Sequence, residues 1–397
     1  MVATEGLAAR WRRDGIERIA AISRADETAL RESVRELLSG AGRGAPPLRA
    51  AERSTLESEG PASAERWRRR LSPLLARHAP RHRFRWTLVE ALRDVFPARG
   101  EPVSHARRRI SLEGDFTAAS RRRDESRRFS FHAPETESLT DEIRNRLARA
   151  AEPREAPVPV SEGATDAILA AGSAAVLFHE ILSHPLEAGA ASPLTGLSEA
   201  KVACGDLEVR DDAMRLDLFG GYEWDDEGTR PRAVKLLDAG RLVGRLTSRA
   251  TAAAASGRES SNGHGRRAEA WDPPLPRGSN LVVSAGATTG EELLRRLGQG
   301  LWIEELDAGS VELASGSFRL RFPRARRVRR GRLADELGAG ILAGEILPSL
   351  KAIETGLGRE VHAYRALGWC ARSGQVVPVQ GEAPDVLIRG LAVRAAG

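Results

Sequence analysis

Residues 174–189 read AAVLFHEILSHPLEAG, and the architecture turns on what this stretch has to hold. Val176, Leu177, Phe178, Ile181 and Leu182 leave a helix here almost no face for water. A histidine–glutamate pair inside such a segment is costly unless it has partners. Two imidazoles on one short element can hold a zinc ion, and a glutamate beside the first can take a proton from a water on that metal. His179 and His184 are therefore candidate ligands and Glu180 a candidate base, the equipment of a metallopeptidase.

The spacing constrains the geometry. At about 100° per residue, histidines four apart lie ~40° apart around a helix, whereas histidines five apart lie ~140° apart. The second arrangement cannot face one ion from a regular helix. The sequence predicts a helix capped by Ser173 that unwinds or bulges before His184. Pro185 disfavours the α region for the residue before it, so His184 is expected at a broken helix end. A catalytic zinc takes three protein ligands and a water, so a further ligand must come from elsewhere. Because so short a motif recurs by chance, the rest of the chain has to decide.

The 397 residues are enough for two or three domains, each with its own core. With 41% hydrophobic and 29% charged residues, the composition is that of a globular chain. No apolar run approaches the ~20 residues that span a bilayer, and MVATEGLAARWRRDG lacks an apolar signal-peptide core. No membrane role and a cytoplasmic location are the expectations. The net charge of +6 hints at nucleic acid, but 55 acidic residues nearly balance 61 basic ones. All the basic residues except Lys201, Lys235 and Lys351 are arginine, a pattern of base composition rather than of a binding surface. The arginine run at 324–332 reads as a solvated hairpin edge protected by its charge, and nucleic-acid binding is discounted. The two cysteines, Cys204 and Cys370, are not expected to form a structural disulfide.

Apolar spacing predicts helix from residue 1 to about 45 and again from Trp67 to Phe96, interrupted at Pro80, with a polar loop over 48–66. Residues 103–133 alternate as strands with arginine-rich outward faces. Leu139–Ala151 reads as a helix whose charges suit its dipole. A proline-rich stretch, 152–165, follows, and Ala156–Val160 within it reads as an edge strand. The domains are placed at 1–155 and 156–397. The second half is largely antiparallel β: hairpins at 233–246 and 311–322, a strand at Leu281–Ser284 and a helix at Gly290–Leu297. Leu337–Ile353 permits helix or strand.

Several ordered motifs resemble the TldD/PmbA family, specifically its TldD branch. AAVLFHEILSHPLEAG resembles that family's HExxxH segment. WDDEGTRPRAVKLLDAGRLVGRL (224–246) resembles its DDEGT segment and hairpin, SNGHGRR (261–267) its glycine–arginine turn, and PLPRGSNLVV (274–283) a strand. ALGWCARSGQVVPVQGEAP (366–384) resembles its C-terminal cysteine segment. The resemblance spans residues ~150–397. It departs at Ser183 and Pro185, where glycine is common, at His264 in place of asparagine, and in the strongly basic RLRFPRARRVRRGRL (319–333).

The resemblance implies an α+β fold, with an N-terminal α/β domain before a mainly antiparallel-β C-terminal domain that carries the zinc helix. It implies zinc held by His179, His184 and Cys370, and hydrolysis of unfolded or flexible peptides with Glu180 as general base. Glu187, Asn262, His264, Arg266 and Arg277 are weaker candidates for substrate contacts. The implied assembly is a homodimer or a heterodimer with a PmbA-like subunit. The rival reading is a non-catalytic peptide-binding subunit of such a complex.

Overall fold

The computed structural model describes residues 5–13, 16–22, 52–55, 61–78, 82–95, 103–118, 125–136, 138–152, 157–256, 260–269 and 272–396. The fold is α+β, with strands predominating. The first half builds an antiparallel sheet in the order Ile16–Ile22, Glu5–Arg13, Glu52–Thr55, His82–Val95, Val103–Ala118, Glu125–Pro134. Helices Pro61–His78 and Leu139–Ala151 supply Trp67, Leu71, Ile143 and Leu147 to a core with Ile110, Leu112, Phe116 and Phe131 of the sheet.

Three expectations for this half are corrected. Residues 5–13 and 16–22 are strands, not helix; Asp14-Gly15, which separates them in the sequence, is a strong hairpin signal. The expectation for residues 23–45 lies outside the described residues. The predicted loop over 48–66 contains the strand Glu52–Thr55 and the start of the helix at Pro61. The helix predicted from Trp67 to Phe96 stops at His78, and His82–Val95 is a strand. Phe84, Trp86 and Leu88 alternate there with polar residues, the period of a pleated strand.

The alternation at 103–133 is real, but its arginine-rich face is not all outward. Arg109 is 5% exposed and donates to the carbonyls of Phe219 (2.5 Å) and Gly221 (2.7 Å). This polar face therefore packs against the second half of the chain.

That half holds two larger sheets. One runs Ala308–Val311, Ser317–Phe322, Gly340–Glu345, Val386–Ala395, Gly163–Leu169, Gln299–Ile303, Ala325–Arg329, Arg332–Leu337. The other runs Arg241–Leu242, Val234–Asp238, Val209–Asp211, Asn280–Val283, Gln380–Pro384, Val361–Ala363. The expected hairpins, the 280–283 strand and the Gly290–Leu297 helix all form, and 337–353 resolves into strand and then helix (Ile346–Lys351). Of the expected strand Ala156–Val160, Ala156 lies outside the described residues and 157–160 form only a bridge between Val158 and Leu337. The arginine run occupies the edge hairpin 325–337, where Arg324 pairs with Glu336 and Arg329 with Asp335. Among the described residues, no helix is long and apolar enough to cross a membrane.

The HEILSH segment lies in the core that joins these sheets. The helical turn before it, Ala174–Phe178, packs on Gln380–Pro384 and Asn280–Val283, and His179–Ser183 lies beside Ala308–Val311. A separate hairpin, Trp369–Arg372 with Gln375–Pro378, turns through Ser373 and Gly374 at positive φ and carries Cys370.

Candidate metal centre

The stretch 174–186 changes helix type twice. Ala174–Phe178 is α-helical, His179–Ser183 is a π-helix and His184–Leu186 is a 3₁₀ turn. The backbone N–H of His184 bonds to the carbonyl of His179, five residues back. A π turn has about 4.4 residues, so histidines five apart come within about 50° of each other. The predicted bulge is therefore present. Its expected cause is not: His184 keeps α dihedrals (φ −59°, ψ −47°) despite Pro185, so the wide turn alone brings the rings together. Ser173 is not a functioning cap either; its hydroxyl donates to the Ile303 carbonyl instead.

The two rings meet edge to face, with centroids 4.6 Å apart. Cys370 Sγ lies 3.3 Å from His184 Nε2. One ligand atom from each of His179, His184 and Cys370 lies within 4.8 Å of the others, and all three residues are buried. Donors around a tetrahedral ion with bonds near 2.1 Å stand about 3.4 Å apart. Two imidazoles and a thiolate at this separation therefore fit one borderline-soft divalent ion, with a fourth position free.

Electrostatics favour the thiolate of Cys370, whereas His184 would have to release a proton to ligate. Burial would raise the Cys370 thiol, but the charges and hydrogen bonds of His179 and His184 outweigh it and hold it well below its ordinary value. Burial opposes charge on His184, yet contact with the Cys370 thiolate raises its pKa on balance. Glu180 is pushed above the usual carboxylate range by burial, an effect the two imidazoles offset in part.

A second ring of groups fixes the candidate ligands. Glu187 is 1% exposed; its carboxylate lies 3.6 Å from His184 Nδ1, accepts from the Gly278 N–H (3.2 Å) and contacts Arg372 and Arg277. Arg277, fully buried, donates to the Cys370 carbonyl (2.7 Å) and to its Sγ (3.2 Å). Carboxylates behind ligating histidines set ring orientation in this way.

The centre opens into a cavity of about 450 Å³ lined by His179, Glu180, His184, Cys370, Trp369, Arg372 and the strand residues Gly309–Val311. None of the five weaker candidates lines it. Glu187 and Arg277 lie behind the ligands. Asn262 and His264 belong to a buried network in which His264 Nε2 is 3.1 Å from Asp211, and Arg266 donates to the Gly278 and Pro378 carbonyls. Sequence reasoning missed the opposite wall: Glu113, Arg128, Ser130 and His132 reach the cavity from the first half of the chain. Only the polar face of an alternating strand marked them.

Fold and centre together define a mixed α+β protein with a buried His–His–Cys cluster able to hold a metal ion. Residues 162–395 match the model of the PmbA/TldA metallopeptidase C-terminal domain, and the chain belongs to the TldD/PmbA family. It is 30% identical over 239 residues to a metalloprotease of Methanothermobacter thermautotrophicus, covering 59% of this chain and 51% of that one. It is 24% identical over 229 residues to a zinc metalloprotease TldD homolog of Saccharolobus solfataricus, covering 57% and 50%. The chain thus spans about half the length of the curated relatives it matches. Its fold is similar to that of TldE from Thermococcus kodakarensis, with TM-score 0.72 and 14% identity over 99% of this chain and 95% of the other.

Proposed function

We propose that this chain is a zinc-dependent peptidase acting on unfolded or flexible peptides. His179, His184 and Cys370 would hold the ion, which when bound supplies Lewis-acid polarisation and an acidified water. Glu180, adjacent to His179 and bordering the cavity, takes the water proton and returns it to the leaving amine. Its raised pKa brings it closer to the working range of such a base. Glu187 and Arg277 orient His184 and Cys370 rather than touching substrate.

One observation carries this reading: a thiol 186 residues beyond His184 closes on the same point as two imidazoles. An extended substrate is supported by Ala308–Val311, the last strand of its sheet, which pairs with no further strand among the described residues and whose Gly309–Val311 line the cavity. The name of the Saccharolobus relative supports zinc. We place the enzyme in the cytoplasm, as a homodimer or paired with a PmbA-like subunit.

Zinc quantification on wild type, Cys370→Ser and Glu180→Gln, beside hydrolysis of an unstructured peptide, tests the reading. Wild type and Glu180→Gln should hold about one zinc per chain and Cys370→Ser far less, while Glu180→Gln should lose roughly 10²- to 10⁴-fold in rate. Wild type that binds no zinc and cleaves nothing would leave a non-catalytic peptide-binding subunit as the better account.

A further inference from the structure

The wall facing the metal centre belongs to the first half of the chain, and it carries an acid that the reaction does not use. Strands Val103–Ala118 and Glu125–Pro134 pair so that Ser111 faces His132, Glu113 faces Ser130 and Asp115 faces Arg128. Glu113, Arg128, Ser130 and His132 all line the cavity. The Glu113 carboxylate is held from both sides, by His132 Nε2 at 3.3 Å and the Ser111 hydroxyl at 3.5 Å. The His132 side chain is 3% exposed and that of Glu113 36%, so the ring is a fixed support and the carboxylate reaches open space. Gly368 lies so close over the ring that a Cβ there would overlap it. The Gly368 backbone thus closes one side of the imidazole.

Among the described residues, no cation is paired with this acid, and Arg85 of His82–Val95 stands across from it in the sheet. Arg372 is engaged by Glu187. Arg128 stands across from Asp115, and its charge also reaches Asp307, which is itself paired with Arg321 at 2.5 Å. Neither contact of Glu113 is a cation, because burial, with Arg146 nearby, keeps His132 neutral down to about pH 4. A carboxylate oriented by neutral donors on the wall of a substrate cavity is arranged to receive a positive charge.

We propose that Glu113, positioned by His132, selects peptides presenting a cationic group to the cavity, either a lysine or arginine side chain or a free amino terminus. This rests on the peptidase reading but is tested by binding, so the two can fail separately. The probes are short acetylated peptides with lysine at one position, the same peptides with norleucine, and the norleucine peptide with a free amino terminus. Binding is measured on the full chain carrying Glu180→Gln, so that no probe is consumed.

A cationic probe should bind about fivefold tighter than acetylated norleucine, the gain expected of a half-exposed pair, and the advantage should shrink with salt. Whether the lysine or the free terminus gains identifies the source of the charge. Adding Glu113→Gln should abolish the advantage, and Glu113→Lys should transfer it to a glutamate-bearing peptide. An unchanged advantage in Glu113→Gln, or none in the Glu113 chain, overturns the assignment. Hydrolysis by wild type without cation preference overturns it alone; no binding and no hydrolysis overturns the peptidase reading as well.

Discussion

At the scale of single residues, the aim of Glu180 depends on an absent side chain. A Cβ on Gly309 would stand 2.9 Å from Glu180 Oε1 and 2.9 Å from Val176 Cγ1, closer than real Cβ contacts. Both side chains border the cavity, but Val176 is β-branched and stiff, whereas the Glu180 carboxylate is the far end of a flexible side chain and gives way first. Gly309→Ala should therefore displace the carboxylate and leave the fold intact. Misplacing a reacting group by about 1 Å costs on the order of 10²-fold. The expected outcome is a fall in kcat of at least tenfold with zinc content and melting temperature within error of wild type. A variant with full kcat would show that Glu180 is not the group that moves the proton. No motif in the sequence singled out Gly309, because its role is to leave space and the space is defined by a segment about 130 residues away.

At the scale of the element, the five-residue histidine spacing was a usable signal. It required a wide turn, and His179–Ser183 provides one through the bond from the His184 N–H to the His179 carbonyl. The mechanism was less legible. Proline disfavours α dihedrals before it only by a local clash, and the packing of thirteen buried residues, 174–186, outweighs that preference at His184. Cys370 could be placed near the histidines only by resemblance, since no local pattern relates a hairpin residue to a helix so distant in sequence. Ser183, which departs from the glycine common in the family, has a visible consequence. Its hydroxyl is fully buried, has no hydrogen-bond partner and faces the space over Gly278. A buried hydroxyl without a partner costs about 1–3 kcal/mol. Ser183→Ala removes that cost and keeps a good helix former, so it should raise stability by about 1 kcal/mol in denaturant melts, with unchanged zinc content. A loss of stability would mean that the hydroxyl is satisfied in solution.

At the scale of the molecule, the second half could be read far better than the first. Its hairpins are local, with turn and strands in one window, as at 234–242 and 308–322. The first half puts Glu5–Arg13 beside Glu52–Thr55, a pairing set by tertiary context that apolar spacing does not encode. The two halves meet at His132, whose N–H donates to the Arg365 carbonyl at 2.8 Å and whose ring packs on Phe219. Burial chiefly, and then the Arg146 charge, lower its pKa from 6.5 to about 4. The folded chain thus binds this proton less readily than the unfolded chain does. His132 contributes full stability above pH 6.5, and that contribution is lost as pH falls from 6.5 toward 4, by up to about 3 kcal/mol. Asp225 acts in the opposite sense, because burial raises its carboxyl to about 6 and protonation then favours the fold. The net pH profile of the wild type therefore mixes both effects, and the informative quantity is a difference. His132→Gln removes the imidazole while keeping a donor toward Glu113, at some loss of stability at pH 7. Urea melts of both proteins between pH 7 and pH 4 should show that loss shrinking steadily as the pH falls. A loss that stays constant across this range would mean that the ring titrates normally, and hence that the two halves do not enclose it in solution.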